Sequence, residues 1–158
     1  LSVALLYYTK HGATRTIAER VAATVDATVT EVARGASFPE AKTVAIGVPI
    51  YAGTAPRPAV SWLEQMREKL LSCSVYLFVV CLSEGAKAEQ QLADGVPAWL
   101  VAHSKETFFV GGQVKISTLG FFERLIMKKV AGIETDVDRL NETAIRALIT
   151  TLESAKDQ

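Results

Sequence analysis

Residues 2–8 (SVALLYY) form an unbroken apolar run, too short for a buried helix, that gives way at once to polar and glycine-containing sequence. A run of this length without alternation suits a strand covered on both faces, the condition of strands inside a parallel sheet. The pattern recurs at 42–50 (KTVAIGVPI), rich in β-branched residues and closed by Pro49, and at 74–82 (SVYLFVVCL). Weaker candidates are 28–33 and 107–110. Helical patterns lie between them. A helix opening at Thr14 places Ile17, Ala18, Val21, Ala22 and Val25 on one face, and another carries Val60, Leu63, Met66 and Leu70. Residues 88–103 are helical in tendency but are divided by Gly95 and Pro97. Residues 119–131 (LGFFERLIMKKVA) form an amphipathic helix, and Thr135-Asp136-Val137-Asp138 reads as the cap and acidic first turn of a last helix bearing Val137, Leu140, Ala144, Leu148 and Leu152. Five buried strands alternating with helices predict one α/β domain over residues 1–158, a doubly wound parallel sheet with right-handed crossovers.

Composition narrows the class. With 158 residues, 49% of them hydrophobic and 22% charged, the chain can bury a sizeable core, and disorder is excluded. Lys plus Arg and Asp plus Glu number 17 each, so no whole-molecule field favours nucleic acid or an anionic membrane. Cys73 and Cys81 stand at opposite ends of one strand candidate, too far apart to be bridged; they read as buried thiols, in keeping with a reducing cytoplasm. The apolar stretch 75–82 is far short of a membrane span, and the first residues carry neither a basic leader nor a cleavage pattern, so a soluble cytoplasmic protein is expected. Two histidines and no Cys/His cluster argue against a metal site.

In an open parallel sheet a ligand binds beyond the carboxyl ends of the strands. Three loops lie there: 9–14, 50–55 and 83–86. In the first, Thr9-Lys10-His11-Gly12-Ala13-Thr14 offers two hydroxyls, a flexible glycine and the free amides of a helix N-terminus, the makings of an anion cradle. It also fits an ordinary turn in which Thr14 only caps the helix, and His11 suits either a phosphate donor or a packing residue. The GxxxxGK[ST] and GxGxxG patterns are absent, which disfavours nucleotide hydrolysis and classical dinucleotide binding. The strand ends Tyr7-Tyr8 and Pro49-Ile50 lack the acids of a phospho-acceptor domain.

The spacing Thr-x-x-Gly-x-Thr at 9–14 resembles the FMN phosphate loop of flavodoxins, with His11 replacing a hydroxyl residue, and Gly47-Val-Pro-Ile-Tyr51-Ala-Gly53 is similar to the second loop of that family. The resemblance runs over essentially the whole chain. It implies strand order 2-1-3-4-5, non-covalent FMN, and cofactor contacts from Thr9, Lys10, His11, Gly12, Ala13 and Thr14, from Pro49, Ile50, Tyr51, Ala52 and Gly53, and from Ser83, Glu84 and Gly85. Within it Tyr51 stacks on the flavin, the amides of the second and third loops meet its pyrimidine ring and N5, and a Glu84 beside the flavin lowers its second-electron potential; the same residues also fit a turn aromatic over the sheet edge, plain turn glycines at Gly53 and Gly85, and, the better fit for Glu84, a solvated loop acid. No side chain is given a catalytic role. Flavodoxins are acidic as a class and use that charge to meet basic redox partners; this chain is neutral and does not share that means of selection.

Leu125-Ile-Met-Lys128 followed by Gly132-Ile-Glu134-Thr135-Asp136 resembles the flavodoxin-type, menaquinone-dependent protoporphyrinogen oxidases, which insert a helix between strand five and the last helix. Their insert is rich in Arg and aromatic residues, whereas here it reads Lys115-Ile-Ser-Thr-Leu-Gly-Phe-Phe-Glu-Arg124. Lys105, Lys115, Arg124, Lys128 and Lys129 against Glu106 and Glu123 leave this region three charges positive (five minus two), so the 119–131 helix suits a membrane surface or a partner as well as its own domain. The expected partner is a redox protein or a quinone, and none of these patterns sets an oligomeric state. Three functions stay open: an FMN electron carrier or small oxidoreductase, a quinone-coupled dehydrogenase, and an interaction module that keeps the fold without flavin.

Overall fold

A computed structural model describes residues 2–33 and 35–158. Its sheet orders six described strands as β2-β1-β3-β4-β5-β6. They are β1 (Val3–Tyr7), β2 (Thr28–Glu31), β3 (Thr43–Pro49), β4 (Ser74–Val80), β5 (Glu106–Val114) and β6 (Val137–Leu140). The first five pair in parallel in the expected order, and β6 pairs antiparallel with β5.

Every residue of β1 is buried, as are the first six of β3, because helices cover both faces. Successive side chains along a strand point to opposite faces, so each strand feeds two cores. Val44, Ile46, Val75, Leu77 and Val79 pack with Trp62 and Leu63 of α2 (Arg57–Gln65), Leu70 of α3 (Arg67–Leu71), Leu92 of α4 (Gly85–Gly95) and Leu100 of α5 (Ala98–His103). Leu5, Ala45, Phe78 and Val80 pack with Ile17 and Val21 of α1 (Ala13–Val25) and with Ile145, Leu148 and Leu152 of α7 (Glu142–Lys156). Gly47 is needed in this second layer. A Cβ there would stand 2.3 Å from the fully buried Phe78 ring. Arg20 of α1 reaches Glu142 of α7 at 2.9 Å, joining two helices 122 residues apart in the chain.

The structure corrects four expectations. Residues 137–140 are a strand, not helix: β5 continues four residues beyond the predicted end at 110, and its free edge is taken by β6 with Gly111 opposite Leu140 and Val114 opposite Val137. The true helix cap is Asn141, whose side chain accepts from the Ala144 amide at 3.0 Å, with Glu142 in the first turn. The single helix expected to carry Val60 through Leu70 divides at Met66. The 119–131 helix divides into α6 (Phe121–Ile126) and a wider π turn, Met127–Ala131, ended by Gly132 in the left-handed region. The break at Gly95 and Pro97 falls as expected between α4 and α5. His103 at the end of α5 meets the Cys73 carbonyl at 2.8 Å, a partner its sequence context did not suggest.

Gly111 makes the turn of partners along β5 possible. The β4–β5 register shifts here, Val79 facing Phe109 and Val80 facing Gly111, so one residue bulges out of the ladder. Gly111 has φ 77°, and a Cβ would lie 2.0 Å from the Arg139 carbonyl oxygen. Left-handed strain and overpacking of β6 therefore act together in Gly111→Ala, which is expected to destabilise the fold by about 3 kcal/mol, measured by urea unfolding. A loss under about 1 kcal/mol would mean that β6 is not held against this residue.

Candidate functional site

A cavity of about 300 Å³ opens at the carboxyl end of the sheet, at the low end of the range of roughly 300–1,000 Å³ usual for small-ligand sites. Residues 9–14, 49–53 and Ser83 all line it; Glu84 and Gly85 do not. Glu84 is the residue before the first turn of α4, and the wall on that side is made instead by Lys87 and Gln91 farther along the helix.

The first loop is shaped by its own hydrogen bonds. The Gly12 amide donates to Thr9 Oγ1 at 2.9 Å, and the Gly12 carbonyl accepts from the amide and hydroxyl of Thr16, each at 3.0 Å. Gly12 precedes α1 with φ 96°, and nothing lies within 4 Å of where its Cβ would be, so its role is conformational. Thr14 is therefore in the first turn of α1 and not its cap, and it is buried. The first-turn amides of α1, which have no partners within the helix, face a cavity edged by Thr9, Lys10 and His11.

The second loop is a two-residue turn. Tyr51 and Thr54 exchange backbone hydrogen bonds at 2.8 and 3.1 Å around Ala52 (φ 50°) and Gly53 (φ 82°). Two positive φ values define this turn class; at Ala52 the conformation costs about 1–2 kcal/mol that glycine would avoid. The strain lies in the loop that presents Tyr51. The third segment contributes Cys81, whose Sγ lies 3.4 Å from the Ser83 carbonyl. Burial pushes the Cys81 thiol up, so it stays protonated and unreactive at neutral pH.

A fourth wall had no counterpart in the sequence reading. It consists of Gly112–Val114 on the extended part of β5 together with Lys115, Thr118, Leu119, Met127, Val130 and Ala131 of the segment between β5 and β6. Val114, Leu119, Met127 and Ile133 form a small core of their own, against which Tyr51, Leu82, Ile116 and Val137 pack. Burying side chains such as Leu119, Met127 and Ile133 contributes about 1.5–3 kcal/mol each, so the base of the segment is firmly seated.

Its tip is tied more lightly. Glu123 of α6 accepts from its own Gly120 amide through Oε1 at 3.2 Å. Through Oε2 it meets His11 Nε2 at 2.7 Å and Lys10 Nζ at 3.3 Å, both on the first loop. Partial burial raises the Glu123 carboxyl, but the Gly120 amide, His11 and Lys10 outweigh it and hold the group below the usual carboxylate range. The pairs are partly exposed, and such bridges contribute about 0–1 kcal/mol. A single carboxylate of α6 thus rests on Lys10 and His11, two residues of the loop that resembles an FMN phosphate loop.

Tyr51 completes the group. Its ring centroid lies 5.2 Å from that of His11 and 5.0 Å from Lys10 Nζ. Its hydroxyl is buried, with no partner in close hydrogen-bond geometry among the described residues but with the Glu123 carboxylate near enough to attract its proton. Burial first, then the charge of Glu123 and the pull of that carboxylate on the phenol proton, push the phenol up to about 12. Loss of this weak contact and relief of the hydroxyl's burial oppose each other, so Tyr51→Phe is expected to shift stability by less than about 1 kcal/mol at neutral pH. The contribution of a phenol raised in the folded state is intact below about pH 10, its unfolded value, and is lost as pH rises toward 12. The variant should accordingly gain on wild type over that window in thermal melts; a difference that stays constant with pH would show that the phenol is not raised in the folded protein.

A family model described as a flavodoxin domain matches residues 4–141. A search of curated proteins finds no match. Among solved structures, an NADH:FMN oxidoreductase (EMOB) in its apo form matches with TM-score 0.55 at 12% identity, over 96% of this chain and 90% of that one. A flavoprotein in complex with FMN from Lactobacillus acidophilus NCFM matches with TM-score 0.50 at 17% identity, over 82% of this chain and 98% of that one. At such identities the likeness is one of fold. The family match along 138 positions (4 through 141), together with the 2-1-3-4-5 parallel order extended by an antiparallel sixth strand, places this chain in the flavodoxin domain family.

Proposed function

We propose that this chain binds FMN non-covalently in the cavity at the carboxyl edge of its sheet and acts as a small FMN-dependent oxidoreductase or electron carrier. The observation that carries the reading is the convergence of residues 9–14, the Tyr51 turn and residues 80–83 on one cavity. FMN joins a phosphate to a flat, largely apolar ring system, and the cavity has matching ends. One end offers the α1 amides, the Thr9 and Thr14 hydroxyls, Lys10 and His11 to the phosphate. The rest of the lining offers apolar Ile50, Val114, Leu119 and Met127 to the ring system. The FMN complex of the Lactobacillus acidophilus flavoprotein, which shares the fold, supports the same cofactor.

Bound flavin supplies one- and two-electron transfer, and the chain supplies binding, orientation and exclusion of water. In that division of labour residues 9–14 hold the phosphate, Tyr51 and the turn at Ala52 and Gly53 border the ring, and the segment after β5 closes one side against solvent. Cys81 stays a neutral thiol and offers no competing nucleophile. Glu84 and Gly85 lie outside the cavity wall, so the third loop contributes through Ser83.

A second reading, a quinone-coupled dehydrogenase of the protoporphyrinogen oxidase type, is favoured by one observation. Phe121 and Phe122 are 77% and 75% exposed on the segment whose Met127 and Val130 line the cavity, and Lys128 and Lys129 adjoin them. An apolar and basic projection of this kind suits a lipid surface or a partner protein next to the flavin. No helix among the described residues is long and apolar enough to cross a membrane, so such contact is peripheral in this reading. Turnover with a soluble quinone and an organic donor would distinguish an enzyme from a carrier that needs a partner protein.

Titrating the protein with FMN and following flavin absorbance and fluorescence tests the reading directly. Saturable binding with a perturbed visible spectrum is expected, and Thr14→Val should weaken it at least tenfold by removing a charge-assisted donor to the phosphate. A folded protein that leaves the FMN spectrum unchanged would remove the redox assignment. Equal affinity in the Val variant would remove the phosphate loop.

A further inference from the structure

We infer that Glu123 is a built-in rival of the ligand's phosphate, fastening the segment after β5 to Lys10 and His11 until a phosphorylated ligand takes those two side chains and releases it. The inference rests on the FMN reading above and adds to it a coupling between cofactor occupancy and the freedom of the inserted segment. Three observations carry it. Two side-chain nitrogens of the first loop, His11 Nε2 and Lys10 Nζ, converge on one carboxylate atom, Glu123 Oε2, at 2.7 and 3.3 Å, so the site already selects an anion. That anion comes from a residue 112 positions away in the chain, on the segment that forms a wall of the same cavity. The carboxylate is divided, with Oε1 kept at home by the Gly120 amide, so the segment keeps its local turn when Oε2 is displaced.

A phosphate monoester carries about −1.5 to −2 charges at neutral pH and three acceptor oxygens, against one charge and one available oxygen on Glu123. It can also take the amides at the start of α1, whereas the contacts of Glu123 are with His11, Lys10 and Gly120. Phosphate is therefore the stronger claimant, and displaced Glu123 is left as a like charge beside it. The buried anchors Leu119, Met127 and Ile133 remain in place on release, so what is freed is the tip with its exposed Phe121 and Phe122 and not the whole segment. Ligands that lack the phosphate leave the latch closed. Riboflavin, which shares the ring system with FMN, is the natural control.

Glu123→Gln is the informative change, because the amide oxygen still accepts from Gly120 while the NH₂ group that replaces Oε2 carries no charge and cannot accept from Lys10. The variant is expected to bind FMN about three- to tenfold more tightly than wild type and to bind riboflavin unchanged within about twofold. In wild type, amide hydrogen exchange over residues 121–126 should quicken on adding FMN, stay as it was with riboflavin, and already be quick in ligand-free Glu123→Gln. Inorganic phosphate added to wild type without FMN should quicken the same amides. If FMN leaves the spectrum unperturbed but phosphate still loosens the segment, the latch stands and the FMN assignment falls. If FMN binds and the segment is equally or better protected, or if the variant gains as much affinity for riboflavin as for FMN, the latch is overturned.

Discussion

Strands β1, β3 and β4 are sealed on both faces, and that single constraint distributes everything else in the molecule. A backbone covered on two sides must satisfy its amides and carbonyls within the sheet, and its side chains must be apolar in both directions. Among the described residues only two polar ones are buried, Thr43 at the start of β3 and Thr14, which stands at the cavity. Polar chemistry is thereby expelled to the strand ends. At the carboxyl ends the loops lead into helix N-termini, whose unpaired amides favour negative charge, and this is where the cavity lies.

The segment after β5 is built from interactions of two strengths, and the difference matters more than their sum. Its base is held by an apolar cluster continuous with Tyr51 and Leu82; its tip is held to the first loop by one carboxylate shared between the partly exposed Lys10 and His11, and to the base by Arg124, which donates to the Ile116 carbonyl. Burial of several side chains outweighs a partly solvated ion pair severalfold. Thermal energy and competing anions therefore act on the tip well before they act on the base. The strained turn at Ala52 has a similar character, since it sets Tyr51 between the rigid sheet and the segment.

Much of this was legible in the residues because the constraint on the central strands is written as composition. Unbroken apolar runs located β1, β3 and β4 within a residue or two, and the spacing of Ile17, Val21 and Val25 gave the buried face of α1. Gly95 and Pro97 gave the break between α4 and α5 for a local steric reason. What escaped was decided by contacts between distant parts of the chain. Gly111-Gly112 resembles a turn in isolation and acts as strand only because β6 arrives beside it. Val137-Asp-Arg-Leu140 follows a plausible cap sequence, and its strand conformation is imposed by the free edge of β5, while the real cap, Asn141, lay five residues beyond Asp136. In the site, residues 9–14 and 49–53 were placed by position in the fold, whereas the approach of Glu123 to His11 has no signature in either local sequence.

The antiparallel pairing of β5 with β6 has a consequence for how such a chain can vary. Gly111 and Leu140 fix one end of the ribbon and Val114 and Val137 the other, so the intervening residues begin and end at neighbouring points whatever their number. The entropy of closing a flexible loop grows only with the logarithm of its length, about 0.6 kcal/mol for each doubling. Residues can be added or removed between Val114 and Val137 with little cost to the sheet, while the same change in a parallel crossover would displace a helix that covers the core. The ribbon therefore works as a socket: one wall of the cavity can be exchanged for another without renegotiating the scaffold that holds the remaining three.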